Sequence, residues 1–330
     1  MALIDSFGRT IHYLRVSITD RCNLNCDYCR IDGNEILPNN DKLLTLEEIG
    51  RLIRIFTELG IERIRLTGGE PLLRKNILTL IKEIGSLPHL QELSLSTNAL
   101  LLKRYAHDLK KAGVSRVNIS LDTLNPKTFN TITRGGKLQK VLDGISTAVE
   151  AGLHPVKINM VVMKGVNDNE VGDMVEYART HGLILRFIET MPVGDAGKQV
   201  SARYIPAEEI LTMIKERFAA ELIPVHQKIG SGPARYYQIV GTKANIGVIS
   251  ARSRHFCDTC NRMRLTSTGQ LVLCLGHEDR KDLRTTIREG ATDVQLKEQI
   301  QEAVYLKPES HQFDNKDILG ATHQMTALGG

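Results

Sequence analysis

The chain has 330 residues, 43 basic and 38 acidic, for a net charge of +5. That length can bury a large core, and the charge is too mild to demand a nucleic acid while suiting an anionic small molecule. No basic-flanked apolar leader and no apolar run of membrane-crossing length is present, so a cytoplasmic protein with no membrane partner is expected.

The first β-like run is Tyr13–Thr19, and Cys22, Cys26 and Cys29 follow it as C-x3-C-x2-C, with Tyr28 next to last. Three thiolates can hold three irons of a 4Fe-4S cluster and leave the fourth open to a small molecule. Structural zinc wants a fourth ligand close by, and only Asp32 and Glu35 follow. The cluster is the better reading. The six cysteines of the chain fall into two groups of three, which in a cytoplasmic protein point to metal rather than disulfides.

Thr45–Leu59 has helical periodicity and opens on a Thr45-Leu46-Glu47-Glu48 capping box. Arg63–Thr67 is the second strand run. Thr67-Gly68-Gly69-Glu70-Pro71 ends it with glycines that let a ligand approach the backbone. Strand runs recur at Glu92–Thr97, Arg116–Asp122, Val156–Met163 and Leu183–Glu189, with a second clear helix over Leu138–Ala151. Gly60, Gly113, Gly152 and Gly182 each stand just past a helix, where a left-handed residue is wanted. Six βα repeats predict a parallel sheet, either an open barrel or a doubly wound sheet.

Alternation along the runs separates these two. Leu14, Val16 and Ile18 oppose Arg15, Ser17 and Thr19; Ile64 and Leu66 oppose Arg63, Arg65 and Thr67. Leu93 and Leu95 oppose Ser94 and Ser96, Val117 and Ile119 oppose Asn118 and Ser120, and Ile158 and Met160 oppose Lys157 and Asn159. A closed barrel fills its interior with aliphatic side chains, and strands covered on both faces read as continuous apolar runs. Polar faces on five strands predict a wet cavity for a polar ligand. Arg63 is expected at an exposed strand end.

After Glu189 the pattern changes, which divides the chain into a barrel over 1–190 and a C-terminal region over 191–330. Met191–Gly197 reads as a loop and Pro206–Arg217 as a helix. Strand runs follow at Arg235–Val240, Ile246–Ser250, Arg262–Thr266 and Gln270–Leu273, then helices over Arg280–Arg288 and Val294–Leu306 and a polar tail. The second cysteine trio is Cys257, Cys260 and Cys274. If Ser267-Thr268-Gly269 is a hairpin turn, Thr266 opposes Gln270 and Arg262 opposes Cys274, which returns Cys274 beside Cys260. Spacing alone leaves zinc open here, with His255 or His277 as fourth ligand. Cys260-Asn261-Arg262-Met263-Arg264 favours a cluster, because two arginines two apart on a strand share a face and can grip a polyphosphate.

The first trio, Tyr28 and the Gly68-Gly69-Glu70-Pro71 turn resemble the radical SAM (S-adenosylmethionine) superfamily. Adding the second trio, Asn261-Arg262-Met263-Arg264 and the closing Gly329-Gly330, the chain from about Arg15 to its end resembles the GTP 3′,8-cyclase family within it. That resemblance implies a partial (βα)6 TIM-like barrel, open at one side, and a C-terminal α+β extension carrying a second Fe–S cluster. It implies two 4Fe-4S clusters on the two trios, with SAM against Tyr28, Gly69, Ser120 and Met191. It implies GTP contacts at Arg15, Arg65, Ser96, Lys157, Arg262, Met263 and Arg264, the guanine lying at the second cluster. Ser96 stands where the family often has Thr, and Leu328 where Ile is frequent. Gly329 and Gly330 are implied to reach into the cavity and serve catalysis; terminal glycines ordinarily fray.

The implied reaction starts when an external donor reduces the first cluster, which cleaves SAM to methionine and a 5′-deoxyadenosyl radical. The radical takes hydrogen from C3′ of GTP, C3′ attacks C8, and reduction gives 3′,8-cyclo-7,8-dihydro-GTP. This opens molybdenum cofactor biosynthesis, and cyclic pyranopterin monophosphate synthase would accept the product. A homodimer is left open. The nearest alternative is a peptide-modifying radical SAM maturase, whose C-terminal modules carry more cysteines. A zinc-stabilised RNA-binding protein is the rival class, yet 8 Tyr, 7 Phe and no Trp leave little for base stacking.

Overall fold

The computed structural model describes residues 2–30, 38–226, 229–230, 232–242, 244–313 and 325–329. Six parallel strands stand side by side in chain order: β1 (Tyr13–Ser17), β2 (Arg63–Thr67), β3 (Glu92–Thr97), β4 (Arg116–Ser120), β5 (Lys157–Val161) and β6 (Ile184–Ile188). Helices α1 (Leu46–Glu58), α2 (Ile77–Gly85), α3 (Leu102–Lys111), α4 (Pro126–Thr133), α5 (Leu138–Glu150) and α6 (Val171–Thr180) fill the crossovers. The apolar halves of the strands, such as Leu14, Val16, Ile64, Leu66, Leu95 and Ile158, are fully buried in one hydrophobic core that also holds helix residues such as Ile53 and Phe56 of α1. Each such side chain contributes about 1.5–3 kcal/mol when removed from water.

Local signals hold. Thr45 and Glu48 form both halves of the capping box at α1. Gly60, Gly113, Gly152 and Gly182 take φ of 96°, 99°, 73° and 65°, the left-handed conformation that ends a helix. Arg63 sits at the outer start of β2 beside Glu62 and Gln91.

The six strands do not close on one another. The C-terminal region supplies a strand to each open edge: β9 (Asn245–Ile249) pairs parallel with β6, and β10 (Arg262–Leu265) pairs parallel with β1. Beyond them, β8 (Arg235–Ile239) and β7 (Leu222–Val225) continue one side antiparallel, while β11 (Gln270–Val272) and β12 (Arg280–Asp282) continue the other. One twelve-stranded sheet therefore runs β12-β11-β10-β1-β2-β3-β4-β5-β6-β9-β8-β7. Covering both edges of the barrel removes unpaired strand surface, and it brings the second cysteine trio to the wall of the first. The β10–β11 register pairs Arg264 with Val272, and Thr266 N donates to Gln270 O at 2.9 Å, as the hairpin reading requires.

Two expectations change. Gly194–Val200 is a short helix, α7, where Met191–Gly197 reads as a loop. Helix α8 (Ala207–Phe218) follows. Arg280–Asp282 is an edge strand, and helix α9 (Leu283–Arg288) starts only after Asp282, whose carboxylate accepts from Thr285 N at 3.0 Å. The side-chain cap competes with helix for the preceding residues. A small hairpin, Leu3–Ile4 with Thr10–Ile11, precedes β1; its two-residue strands are too short for an alternation signal. Helix α10 (Asp293–Tyr305) has its own capping box, Thr292 with Gln295, and Met325–Leu328 forms one final turn, α11. Among the described residues no helix is long and apolar enough to cross a membrane.

Candidate active site

The polar faces of the strands surround a cavity of about 300 Å³. Arg15, Arg65, Ser96, Ser120, Asn159 and Arg186 line it from β1 to β6, and Arg262, Met263 and Arg264 line it from β10. All six cysteines, Tyr28, Gly69, Met191 and Gly329 also face it. Lys157 does not reach the lining. Its ammonium is buried and donates to Ile229 O at 2.9 Å, under Gly230. Burial, then Arg116, Arg186 and Arg65, bring its pKa down to about 7. Gly330 lies outside the described residues.

The cysteines stand at opposite ends of the β1–β10 strand pair. Cys22, Cys26 and Cys29 follow the C-terminal end of β1. Cys260 precedes β10, whose Arg262 pairs with Tyr13 at the N-terminal end of β1. Five residues of strand separate these ends by about 17 Å. The first trio sits on a loop pinned to α4 by Asn25 N→Thr133 O (3.2 Å) and Asp27 N→Ile132 O (3.0 Å). Asn98 Nδ2 donates to Cys22 Sγ at 3.6 Å. Burial, then Cys29, Asp122 and Cys22, push the Cys26 thiol well up, and burial raises Cys22. Such thiols ionise for a group that brings positive charge of its own.

In the second trio, Cys260 N donates to Cys257 O at 3.0 Å, and the β10–β11 hairpin returns Cys274. Among the described residues no three His, Cys, Asp or Glu side chains form a group able to hold a single metal ion. Three cysteines facing one cavity at each end are a donor set suited to an iron–sulfur cluster with one open iron.

Gly68 and Gly69 line the cavity and also lie against the chain's own backbone. A Cβ on Gly69 would lie 2.3 Å from Arg21 O, and one on Gly68 2.5 Å from Thr19 O. The close approach is by the chain's own Thr19–Arg21 segment, with Gly69 N→Thr19 O at 2.7 Å and Glu70 N→Arg21 O at 2.8 Å. The glycines thus lock the cysteine loop to β2. Glu70 is fully buried and accepts from Leu72 N, Thr97 Oγ1 and Asn98 N at 2.8–3.0 Å. Burial still lifts it to about 7.

Between the trios lies a row of arginines. Arg264 on β10 pairs with Arg15 on β1, and Arg15 pairs with Arg65 on β2. Paired residues of adjacent strands share a face about 4.8 Å apart. Burial, then the neighbouring Arg264, holds Arg15 well below the usual arginine range. Burial and Arg262 bring Arg264 down to about 10. A row of desolvated guanidiniums costs free energy until an anion lies along it. Arg15 Nη2 donates to Gly329 O at 2.6 Å and Arg264 Nη1 to Leu328 O at 3.1 Å, so tail carbonyls lie against the row.

Several cavity residues escaped the sequence reading. Arg186, which donates to Asn118 Oδ1 at 2.7 Å, is the lone polar residue between Leu185 and Phe187 on β6; the same alternation rule identifies it. Asp122 accepts from Tyr28 Oη at 2.7 Å and Val161 N at 2.8 Å, and burial raises it to about 6. It lies two residues past Ser120 on the same face. Lys307, His311 and Phe313 line the cavity from a tail that carries no periodic signal.

The radical SAM superfamily profile matches residues 16–178, and the Molybdenum Cofactor Synthesis C profile matches residues 183–313. Over 331 residues, 100% of both chains, the sequence is 49% identical to a GTP 3′,8-cyclase of Hydrogenovibrio crunogenus. It is 45% identical to a GTP 3′,8-cyclase of Syntrophomonas wolfei, over 99% of this chain and 100% of the other. Among solved structures it resembles Streptococcus suis SuiB bound to precursor peptide SuiA, with a TM-score of 0.65 at 15% identity over 97% of this chain and 71% of that one. At that identity the likeness concerns the fold alone.

Proposed function

The chain belongs to the GTP 3′,8-cyclase family of the radical SAM superfamily, and we propose that the cavity divides the reaction between two cysteine trios and an arginine row. The enzyme converts GTP to 3′,8-cyclo-7,8-dihydro-GTP, the first step of molybdenum cofactor biosynthesis, and as a radical SAM enzyme it uses a 4Fe-4S cluster and SAM. In our reading Cys22, Cys26 and Cys29 hold that cluster, and Cys257, Cys260 and Cys274 hold a second one beside the guanine. Bound and reduced, such a cluster would supply the electron for reductive cleavage of SAM, and Cys22, Cys26 and Cys29 would hold it at the cavity wall. The protein's own residues do the positioning.

Tyr28, steadied by Asp122, packs against the adenine. The Gly69 backbone, Ser120 and the Met191 backbone frame the rest of SAM. Arg15, Arg65, Arg262 and Arg264 take the triphosphate, with Ser96 and Met263 against the nucleoside and Lys157 contributing charge from beneath. The tail turn at Gly329 closes over the reacting ribose and excludes water, and Gly330 shares its catalytic role in this reading. The boundary near 190 separates the SAM-binding part from the part that completes the GTP site. A cytoplasmic reductant would supply electrons, and cyclic pyranopterin monophosphate synthase would take the product.

The in-register row Arg264–Arg15–Arg65 between the trios carries this reading. Iron and sulfide analysis of anaerobic protein tests it, with about eight of each expected per chain. Replacing Cys257, Cys260 and Cys274 by Ser should halve both and leave SAM cleavage in place. About four irons in the parent would remove the second cluster.

A further inference from the structure

Lys307 is 2% exposed, and its side chain lines the cavity among Cys257, Cys260 and Cys274. Its ammonium donates to Leu273 O, the carbonyl just before Cys274. Among the described residues no carboxylate forms an ion pair with it. An ammonium is removed from water at high cost unless an opposite charge compensates it. The groups beside it that can carry negative charge are the thiols of Cys260 and Cys274.

The backbone around Lys307 is fixed from outside. Arg9, paired with Asp5 at 2.6 Å, donates to Cys257 O at 2.9 Å and to the carbonyls of Pro308 (2.7 Å) and Glu309 (2.6 Å). One guanidinium thus ties the second trio to the two residues after Lys307. Lys307 N closes the end of α10 on Val304 O at 3.0 Å. The ammonium is held in place rather than carried on a mobile tail.

We propose that Lys307 is the counter-charge of the iron–sulfur group held by Cys257, Cys260 and Cys274, and that it positions that group's reduction potential. This rests on the reading of the trio as a cluster site. A fixed buried cation stabilises whichever redox state carries more negative charge, so it raises the potential. Lys307 is a positioning residue: it acts through the cluster and by charge.

The test uses the full chain with Cys22, Cys26 and Cys29 replaced by Ser, so that only the second group gives a signal. Iron and sulfide are measured first; their absence would overturn the cluster reading and this proposal together. With iron present, the midpoint is followed by electron paramagnetic resonance during a potentiometric titration. Lys307→Met should lower it by at least a tenfold change in the reduced-to-oxidised ratio, about 59 mV for one electron. Lys307→Arg should stay near the parent. An unchanged midpoint in Lys307→Met overturns the proposal and leaves the cluster reading standing. If Lys307→Met fails to retain iron, retention by Lys307→Arg supports the charge role. Loss from both overturns it, since shape rather than charge would then be what the site needs.

Discussion

Arg15 and Gly329 lie 314 residues apart in the chain and meet at 2.6 Å, the guanidinium Nη2 donating to the glycine carbonyl. Leu328, just before it, packs against Val193 and Val272. A Cβ on Gly329 would lie 1.9 Å from Thr67 Oγ1, and its φ of +78° disfavours any side chain.

Gly329→Ala is therefore expected to displace the tail and leave the barrel untouched. The melting temperature should stay within about 2 °C, because an edge turn carries little of the global stability. With GTP deuterated at C3′, deuterium transfer into 5′-deoxyadenosine should fall at least tenfold. Deleting the final two residues should do the same. Normal transfer in either variant would reduce the tail to a packing contact.

Arg262 and Arg264 are expected to carry GTP affinity and little stability. Each charge-assisted contact contributes about 1.5–3 kcal/mol, so each Ala variant should weaken GTP binding by roughly tenfold to a hundredfold. Uncoupled SAM cleavage should continue. Arg264→Met should leave the ligand-free protein at least as stable as the parent, since it removes one charge from a self-repelling buried row. Equal GTP affinity in the double Ala variant would exclude the triphosphate role.

Cys26→Ser is expected to abolish SAM cleavage by removing one of the first trio's thiolates. Tyr28→Phe tests the packing more gently. It deletes the hydroxyl that bonds Asp122 at 2.7 Å and should weaken SAM binding by about tenfold, with GTP binding unchanged. Unaltered SAM affinity would mean that Asp122 does not steady the ring.

Glu70 predicts a pH dependence of stability. Its folded value of about 7 lies above the ordinary 4.5, so the folded state holds its proton over that interval while the unfolded chain has released it. Its contribution is fully present below pH 4.5 and is lost as pH rises to 7, by about 3 kcal/mol. Urea midpoints of the ligand-free protein should show that fall, and Glu70→Gln should flatten it. A variant with the parent's slope would place the titration elsewhere.

The repeated unit of this protein is written locally. Alternation such as Leu14/Arg15/Val16 decides which side chains meet helices and which meet the cavity, because strand period 2 needs no distant partner. The Thr45 capping box, the glycines after helices and the β10–β11 register are local in the same sense. So is the spacing of each cysteine trio. What the tertiary structure decided is who stands next to whom across long separations. Edge availability in the sheet, and no local pattern, seats β10 against β1 and so aligns Arg264 with Arg15 and Arg65. The same non-local packing turns Lys157 beneath Ile229, buries Lys307 beside the second trio, and brings Gly329 to Arg15. Those contacts form only when the whole sheet is assembled, which is why residue patterns foretold the cavity's lining but not its electrostatics.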